Sequence, residues 1–140
     1  MFKKILVAYD GSEMAKKALK TAIHLAEQNQ ANLIVAHVQS PFPGFIDGTF
    51  VTNEMFELAN QQGQSILQEA VDIARAENRD IVKVFVNGSP VYEICRIAEE
   101  QQVDLIVMGN RGLGPIKEVF LGSVSHGVTQ RARVPVLIVK

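Results

Sequence analysis

Short apolar runs alternate with helical patterns along the chain. The apolar runs are rich in β-branched residues and only four to six residues long, which is typical of parallel strands covered on both faces. They lie at residues 5–9, 33–38, 81–86, 105–108 and Val136–Val139. The third run, IVKVFV, keeps a polar position at Lys83. We therefore expect the third strand to be more exposed than the others and to lie near an edge of the sheet.

Between these runs, apolar residues recur at the three- and four-residue spacing of one helix face. Ser12 precedes the first stripe as an N-cap, and Ser89 precedes the third, followed by Pro90 at the first helical position. Gly63 interrupts the second stripe lightly. The four stripes comprise Ala15, Ala18, Leu19, Ala22, Ile23 and Ala26; Met55, Ala59, Ile66, Ala70 and Ala74; Val91, Ile94, Cys95 and Ala98; and Val124, Val128 and Ala132.

The order of these elements is βαβαβαβαβ, without an internal repeat. Strands that alternate with helices imply right-handed crossovers and a parallel sheet with helices on both faces. We therefore predict an α/β fold, a single domain over residues 1–140 with a five-stranded parallel sheet. Ligands of such sheets bind beyond the carboxyl ends of the strands, where the strand order reverses. One long connection, residues 40–51, is punctuated by proline and glycine, and we expect it to be functional or mobile.

The overall composition excludes several classes of function. The 140 residues are 47% hydrophobic and 21% charged, as in soluble globular proteins. A formal net charge of −1 gives no electrostatic footprint for nucleic acid or for anionic membranes. The apolar run at residues 5–9 is too short for a signal peptide or a membrane span, so we expect a cytoplasmic protein. Cys95 is the only cysteine, which excludes an internal disulfide, and its apolar helical surroundings favour a buried, inert thiol.

The segment after the fourth predicted strand, residues 109–125 (GNRGLGPIKEVFLGSVS), has the character of a ligand-binding loop. Its glycines permit positive φ angles and let backbone amides approach a ligand closely. Gly122 and Ser123 open the fourth helix, whose unpaired N–H groups and positive dipole end attract anions, and Ser123 and Ser125 add hydroxyl donors. These features predict a phosphate-binding loop. The alternative is that the glycines only form a flexible loop.

Familiar phosphate-binding and catalytic motifs are missing from the chain. There is no G-x-x-x-x-G-K-[ST], and G-L-G-P-I-K lacks the third glycine of G-x-G-x-x-G and follows the fourth strand rather than the first. A Walker A loop is therefore excluded and a dinucleotide-binding domain is disfavoured. Of the histidines, His24 is expected to face solvent, His37 to lie in the core or at its rim, and His126 to lie near the loop. None has a partner at the spacing of a catalytic triad, so we assign no catalytic residue.

The spacing of the glycines in this loop is specific. Gly109, Gly112 and the pair Gly122-Ser123 spell G-x2-G-x9-G-[ST]. With this motif the chain resembles the universal stress protein family, and within it the ATP-binding branch. The resemblance extends over the whole chain, through ILVAYDGSE, AHV, VDLIVMGNRG and RVPVLIVK in that order. It implies a Rossmann-like fold of the adenine nucleotide alpha hydrolase type.

The resemblance also assigns roles to individual residues around an adenine nucleotide. It implies that Asp10 borders the nucleoside and that the backbone of Val38 pairs with the edge of the adenine. Without the resemblance, Asp10 is typical of a turn residue in D-G-S and Val38 of a plain core residue. The other residues that it implies near the base and ribose are Ala8, Tyr9, Met108 and Gly109, and those around the triphosphate are Arg111, Gly112, Gly122, Ser123, Val124 and Ser125. Arg111 and Lys117 could each also be a solvated loop residue.

The function implied by the resemblance is that of a regulatory protein of the stress response, a homodimer that binds ATP, with AMP or ADP as alternative ligands. The dimer would form through the C-terminal strand Val136–Val139, and a further protein partner is unknown. The family commonly binds ATP with a divalent metal. Because no carboxylate pair marks a metal site in this chain, Mg²⁺ would be held mostly by phosphate oxygens and water, and no metal-binding residue is assigned.

Other functions remain open at this stage. A slow ATPase is disfavoured because no residue is placed to activate water. A flavodoxin-like carrier would hold phosphate after the first strand, where the chain offers only Asp10, Gly11 and Ser12. A stress protein of the branch that does not bind nucleotide would lack the glycine motif that this chain keeps. One departure from the family is Gly127, which replaces a long helix former at a cost of about 1 kcal/mol of helix stability.

Overall fold

The strands and helices of the protein follow the predicted alternation. The computed structural model describes residues 1–40, 45–46, 49–111 and 121–140, so Gly112, Gly114 and Lys117 lie outside the described residues. The strands are β1 (Lys4–Ala8), β2 (Asn32–Gln39), β3 (Phe45–Ile46), β4 (Thr49–Phe50), β5 (Val82–Asn87), β6 (Leu105–Gly109) and β7 (Val136–Val139). The helices are α1 (Glu13–Asn29), α2 (Asn53–Ala76), α3 (Pro90–Glu100) and α4 (Ser123–Arg131). No helix in the described part of the chain has the length and apolarity required to span a membrane.

Five parallel strands form the main sheet in the order β5-β2-β1-β6-β7, which confirms the predicted fold class. β1 lies at the centre, where Ile5 pairs with Leu33 of β2 on one side and with Leu105 of β6 on the other. The chain first builds the sheet outward through β2 to β5 and then returns to add β6 and β7. The strand order therefore reverses between β1 and β6, and a ligand site is expected beyond the carboxyl ends of these two strands.

The two edge strands are β5 and β7. The third predicted strand is thus at an edge, as its polar position indicated: Val82 is 56% exposed and Lys83 is exposed as well. At the opposite edge, Leu137 of β7 is 37% exposed. Each edge leaves one row of backbone N–H and C=O groups without a strand partner among the described residues.

The alternating side chains of the strands divide the core into two layers. Ile5 and Val7 of β1 belong to the cluster that packs against α1 and α2, whereas Leu6 faces the other layer, with Ile94 of α3 and Val128 of α4. All six residues of the first predicted stripe are buried in α1. Their helix begins as expected, because the Ser12 Oγ accepts a hydrogen bond of 3.1 Å from the backbone N–H of Ala15.

The predicted stripe of α2 is confirmed at Ala59, Ala70 and Ala74, which are buried, and is wrong at Met55. Met55 is 39% exposed, and the buried face of α2 passes instead through Gly63 and Leu67. Gly63 is no mere interruption of the helix: a Cβ there would overlap the Phe85 ring of β5 and lie 2.7 Å from the Gln39 side chain. The glycine thus lets α2 approach the sheet closely. The described part of the connection at residues 40–51 includes the antiparallel pair β3–β4, and its expected functional or mobile role stays a prediction.

The expectation that Gly127 only weakens the fourth helix is also incomplete. A Cβ at Gly127 would lie 2.7 Å from one Val91 methyl carbon and 3.1 Å from the other, so the residue is the point of closest approach between α4 and α3. Cys95 lies in the same layer and is 7% exposed, as predicted for a buried thiol. Burial raises the pKa of the Cys95 thiol, which disfavours the reactive thiolate.

Candidate functional site

A cavity of about 580 Å³ lies beyond the carboxyl ends of β1, β2 and β6. It is at the point where the strand order reverses, so its location is the one expected for a ligand of this fold. Every described residue that was singled out from the sequence lines it. These residues are Ala8, Tyr9, Asp10, Val38, Met108, Gly109, Arg111, Gly122, Ser123, Val124 and Ser125. Gly112, the twelfth, lies outside the described residues.

Asp10, in the turn after β1, was expected either to be a turn residue or to border a nucleoside. One carboxylate oxygen, Oδ1, accepts a hydrogen bond of 3.0 Å from the backbone N–H of Ser12, as a turn residue would. Gly11 between them has φ of 81°, a left-handed conformation that other residues rarely adopt. The same Asp10 also borders the cavity. The turn therefore holds the carboxylate in place at the ligand site while Ser12 caps α1.

The backbone of β2 extends past the end of β1 at the cavity. Pairing between the two strands ends at Ala8 and Ala36, and the Tyr9 N–H then donates to the Ala36 carbonyl at 2.8 Å. Peptide directions in a strand alternate with a period of two, so Val38 directs its N–H and C=O to the same side as Ala36. These groups lie beyond the last residue of β1 that pairs with β2. They therefore face the cavity rather than a residue of β1, and the adenine contact expected of Val38 stays a prediction.

His37 supports this end of the cavity from inside the core. It is 7% exposed, which agrees with the expected core or rim position. Its Nδ1 lies 2.8 Å from the Tyr9 carbonyl oxygen, and since that oxygen only accepts, the ring nitrogen is the donor. The Tyr9 peptide is therefore held on both sides, by Ala36 through its N–H and by His37 through its carbonyl. The wall of the cavity is fixed before any ligand binds.

At the end of β6, Gly109 is needed for packing rather than for an unusual backbone conformation. Gly11 is the only described glycine with a positive φ, so the expectation that the loop glycines use this freedom is wrong for Gly109 and Gly122. A Cβ at Gly109 would lie 2.8 Å from the Cβ of Met14 and 2.9 Å from its backbone carbonyl carbon. The glycine allows α1 to lie directly against the end of β6.

The start of α4 forms the opposite end of the cavity. Gly122 is the N-cap, and its N–H donates to the Asn110 carbonyl at 2.5 Å. The hydroxyl of Ser125 donates to the same carbonyl at 2.8 Å and lies 3.1 Å from the Gly122 carbonyl. The Ser125 hydroxyl, which was expected to donate to a ligand, instead donates to the Asn110 carbonyl and connects α4 to the end of β6. Ser125 is 2% exposed, whereas Ser123 is exposed.

The first-turn amides of α4 are left for a ligand. Gly122 has no side chain, and no side-chain cap bond is made at this helix start. Residues Ser123, Val124 and Ser125 occupy the first three helical positions, where backbone N–H groups have no partner within a helix. All three border the cavity. Their amides and the positive end of the helix dipole suit an anion such as phosphate.

The cavity carries little net charge among its described residues. Asp10 is the acid and Arg111, half-buried at its edge, is the guanidinium group. Within the described residues there is no group of three or more His, Cys, Asp or Glu side chains placed to hold a metal ion. An anion would therefore be bound mainly by backbone amides, as in other neutral phosphate sites.

Two further residues of this cavity, Ser12 and His126, were expected near the site from the sequence but were given no ligand contact. Sequence reasoning missed the others, which are Ala15, Ala36, Ser40, Pro90, Ile94 and Leu121. Those at the ends of β1 and β2 follow from the rule that strand ends meet at one edge, which already directed attention to this side of the sheet. Pro90 and Ile94 belong to α3, and only the packing of α3 against α4 brings them to the wall. His126 lies one turn into α4, next to the backbone amides of the first turn.

Comparison with known proteins identifies the family. The family model described as the universal stress protein family matches residues 1–140. This chain belongs to the universal stress protein family. Universal stress protein YxiE of Bacillus subtilis is 40% identical over 100% of both chains. The family resemblance drawn from the glycine spacing is thereby confirmed.

Two solved universal stress protein structures contain nucleotides. One is a complex with cAMP, 33% identical to this chain, with a TM-score of 0.73 and coverage of 99% of this chain and 97% of the other. The other is the Archaeoglobus fulgidus protein in complex with dAMP, 25% identical, with a TM-score of 0.75 and coverage of 99% and 98%. Both ligands are adenine nucleotides. Adenine nucleotides are therefore ligands of proteins that share this fold and family.

Proposed function

We propose that this chain is a cytoplasmic universal stress protein of the ATP-binding branch, which acts as a nucleotide-dependent regulatory homodimer. One observation carries the proposal. The N-terminus of α4 and the carboxyl ends of β1, β2 and β6 open into the same cavity of about 580 Å³. A single nucleotide could thus place its base against the strand ends and its phosphates against the N-terminus of α4. The cAMP and dAMP complexes of related proteins support adenine as the base.

The base would lie against the ends of β1 and β2. The peptide groups of Val38, which have no partner in β1 among the described residues, would offer one donor and one acceptor to the adenine edge, and the Tyr9 peptide groups support the neighbouring wall. Met108, 5% exposed, and the small side chain of Ala8 supply an apolar surface for a ring. The ribose would lie near the carboxylate of Asp10, which has a second oxygen available to accept from a hydroxyl.

The phosphates would lie at the start of α4. The amides of Ser123, Val124 and Ser125 would donate to them, with Arg111 adding a charge that matches phosphate geometry. Mg²⁺ would be held by phosphate oxygens and water, in keeping with the single carboxylate in the described wall. Regulation would follow if phosphate occupancy changes the surface around α4 that a partner protein contacts. AMP and ADP are alternative ligands of the same site.

The direct test is to denature the purified protein and to identify the released nucleotides by chromatography. We expect ATP, or AMP or ADP, in an amount that approaches one per chain. The same protein stripped of nucleotide should gain melting temperature with millimolar ATP and Mg²⁺, since a ligand at 100 times its Kd adds about 2.7 kcal/mol to stability. Absence of both a released nucleotide and a thermal shift would overturn the proposal.

A charge placed at Ser123 tests the phosphate position without disturbing the fold. Ser123 is exposed at the first position of α4, where an acidic side chain stabilises a helix. Ser123→Asp should therefore keep or raise the melting temperature without nucleotide but weaken ATP binding up to about fivefold, because the carboxylate repels the phosphates. The near-isosteric control Ser123→Asn should bind within about twofold of the wild type. Equal ATP affinity of Ser123→Asp and Ser123→Asn would contradict the proposed phosphate position.

Hydrolysis is the second candidate activity, and phosphate release measures it. No described residue of the cavity is arranged as a general base with an orienting partner, so we expect turnover to be weak or absent. Gly122→Val provides the control, because even its Cβ would lie 3.1 Å from the Asn110 carbonyl and 3.3 Å from the Arg111 Cα. Phosphate release that disappears in this variant would establish a slow ATPase. Release that survives would indicate a contaminating enzyme.

A further inference from the structure

His126 is a titratable group at the phosphate end of the cavity to which the expected nucleotide contacts assign no role. It lies at the fourth position of α4, where its backbone N–H donates to the Gly122 carbonyl at 2.9 Å and continues the helix. His126 is an exposed residue and lines the same cavity as Ser123 and Ser125. It is therefore accessible to solvent and lies one helical turn from the Gly122 N-cap.

The charges that share the cavity with His126 are few. The turn after β1 contributes the carboxylate of Asp10, and the segment after β6 contributes the guanidinium group of Arg111, while Tyr9 is titratable but uncharged. The wall residues of β2 and its end (Ala36, Val38 and Ser40) and of α3 (Pro90 and Ile94) carry no charge. Among the described lining residues, His126 is thus the only one of a type that ordinarily changes charge between pH 5 and 8. A change in its charge with pH would therefore change the electrostatic field at a phosphate bound in the cavity.

The helix start makes this variable charge depend on the ligand. A cation near a helix N-terminus is unfavourable, because it meets the positive end of the helix dipole. A phosphate bound to the first-turn amides reverses the sign of the local field and favours the imidazolium. Binding of phosphate and uptake of a proton by His126 are then coupled in both directions.

We propose that His126 is a phosphate-facing specificity residue that takes up a proton when a phosphate binds at α4, so that phosphorylated nucleotides bind more tightly as the pH falls. This inference rests on the proposed nucleotide site and names a regulation of that same site. An exposed charge pair is worth at most about fivefold in affinity and commonly about twofold. His126 thus adjusts the affinity for phosphorylated nucleotides relative to adenosine, while most of the binding free energy comes from the rest of the site.

Titration calorimetry at about pH 6 and about pH 8 tests the proposal with ATP–Mg²⁺ and with adenosine. In the wild type, we expect ATP to bind about two- to fivefold more tightly at the lower pH, with proton uptake detected by repeating the titration in buffers of different ionisation enthalpy. His126→Gln should lose this part of the pH dependence, and His126→Lys should bind ATP at about pH 8 at least as tightly as the wild type does there. Adenosine, which has no phosphate, should show no difference between these proteins.

The control variant is His24→Gln, which removes an exposed histidine of α1 that does not line the cavity. It should retain the pH dependence of the wild type. Protons that ATP itself or His37 exchanges are present in every variant and cancel in the comparison. Equal pH dependence and equal proton uptake in the wild type and His126→Gln would overturn the role of His126. Absence of ATP binding in all variants would instead overturn the proposed function.

Discussion

At the scale of single residues, Tyr9 connects the candidate ligand site with the helical layer behind it. Its peptide borders the cavity, while its side chain is 2% exposed and its hydroxyl donates a hydrogen bond to the Glu69 carboxylate of α2. Glu69 also lies 3.8 Å from Lys16 of α1, so three elements meet around this hydroxyl. Burial and the neighbouring Glu69 carboxylate raise the pKa of Tyr9 well above its usual value.

This raised pKa predicts a specific loss of stability in alkali. The folded-state pKa lies above the unfolded one, so the contribution of Tyr9 is present below about pH 10 and is lost as the pH rises further. Tyr9→Phe should cost about 1 kcal/mol at neutral pH, because Glu69 loses a donor but returns to water. It should also remove the Tyr9 part of the alkaline loss. Denaturant unfolding at several pH values measures both effects.

The chain has only one other tyrosine, Tyr92, which is 49% exposed and serves as the spectroscopic control. In a Tyr92→Phe background, the absorbance of tyrosinate reports Tyr9 alone. We expect that signal to rise together with alkaline unfolding. A Tyr9 signal that rises near pH 10 while the protein stays folded would contradict the raised pKa.

At the scale of elements, glycines determine how closely the helices approach their neighbours. Gly109 sets the contact of α1 with the end of β6, Gly63 that of α2 with β5, and Gly127 that of α4 with α3. The last contact holds the helix whose N-terminus borders the cavity. It also lies close to a second link between the two helices, the Arg131 guanidinium over the Tyr92 ring at 5.1 Å. The direction of α4 is thereby fixed by its packing on α3.

Gly127→Ala should therefore destabilise the protein although alanine is the better helix former. The gain in helix propensity is about 1 kcal/mol, but the new Cβ would lie 2.7 Å from a Val91 methyl carbon, and overpacking of this kind costs about 1 to 3 kcal/mol. We expect a net loss of about 1 kcal/mol in the free energy of unfolding. Urea denaturation of the purified variant measures it.

A double-mutant cycle with Val91→Ala isolates the contact. When Val91 is truncated, the clash is removed, and Gly127→Ala should then stabilise by about 1 kcal/mol relative to Val91→Ala alone. The coupling energy between the two positions would be about 2 kcal/mol. If Gly127→Ala changes stability by the same amount in both backgrounds, the glycine does not serve the helix–helix contact.

At the scale of the whole molecule, the edge strand β7 is the surface by which we expect two copies to associate. The Pro135 carbonyl accepts a hydrogen bond from Ile106 of β6, and the Val139 carbonyl accepts one from Asn110, directly after β6, each at 3.0 Å. The peptide groups of Val136 and Ile138 therefore point to the open side of the sheet. With Leu137 37% exposed beside them, this edge can pair with a second β7 across a two-fold axis. Such pairing would cover the open hydrogen-bonding edge of each copy.

Leu137→Asp should weaken this association, because two carboxylates would be brought together at a two-fold interface. Sedimentation or light scattering should give twice the chain mass of 15.4 kDa for the wild type and a shift toward the single chain for the variant. The matched control is Leu58→Asp on α2, where the leucine is 57% exposed and remote in sequence from β7. A monomeric wild type, or an equal effect of both substitutions, would exclude β7 as the interface.

The periodic features of the fold could be predicted from the sequence. All six residues of the apolar stripe predicted for α1 are buried. The prediction succeeded because burial of one helix face requires apolar residues at fixed intervals. The five main strands and their helices followed for the same reason, and the order of elements restricted the topology. The helix start at Gly122 was predictable because glycine and serine are local residue types favoured at a helix N-terminus.

What only the tertiary structure decided concerns residues that meet across the sequence. Gly63 and Gly127 read as weak points of helices, yet each is required by a side chain on another element, Phe85 or Val91. Ser125 read as a ligand donor, yet its hydroxyl is used by the carbonyl of Asn110. Periodicity reports which face of an element is buried but not which atoms lie opposite. Those distances depend on how the helices pack on the sheet, and that packing determines which side chains reach the cavity.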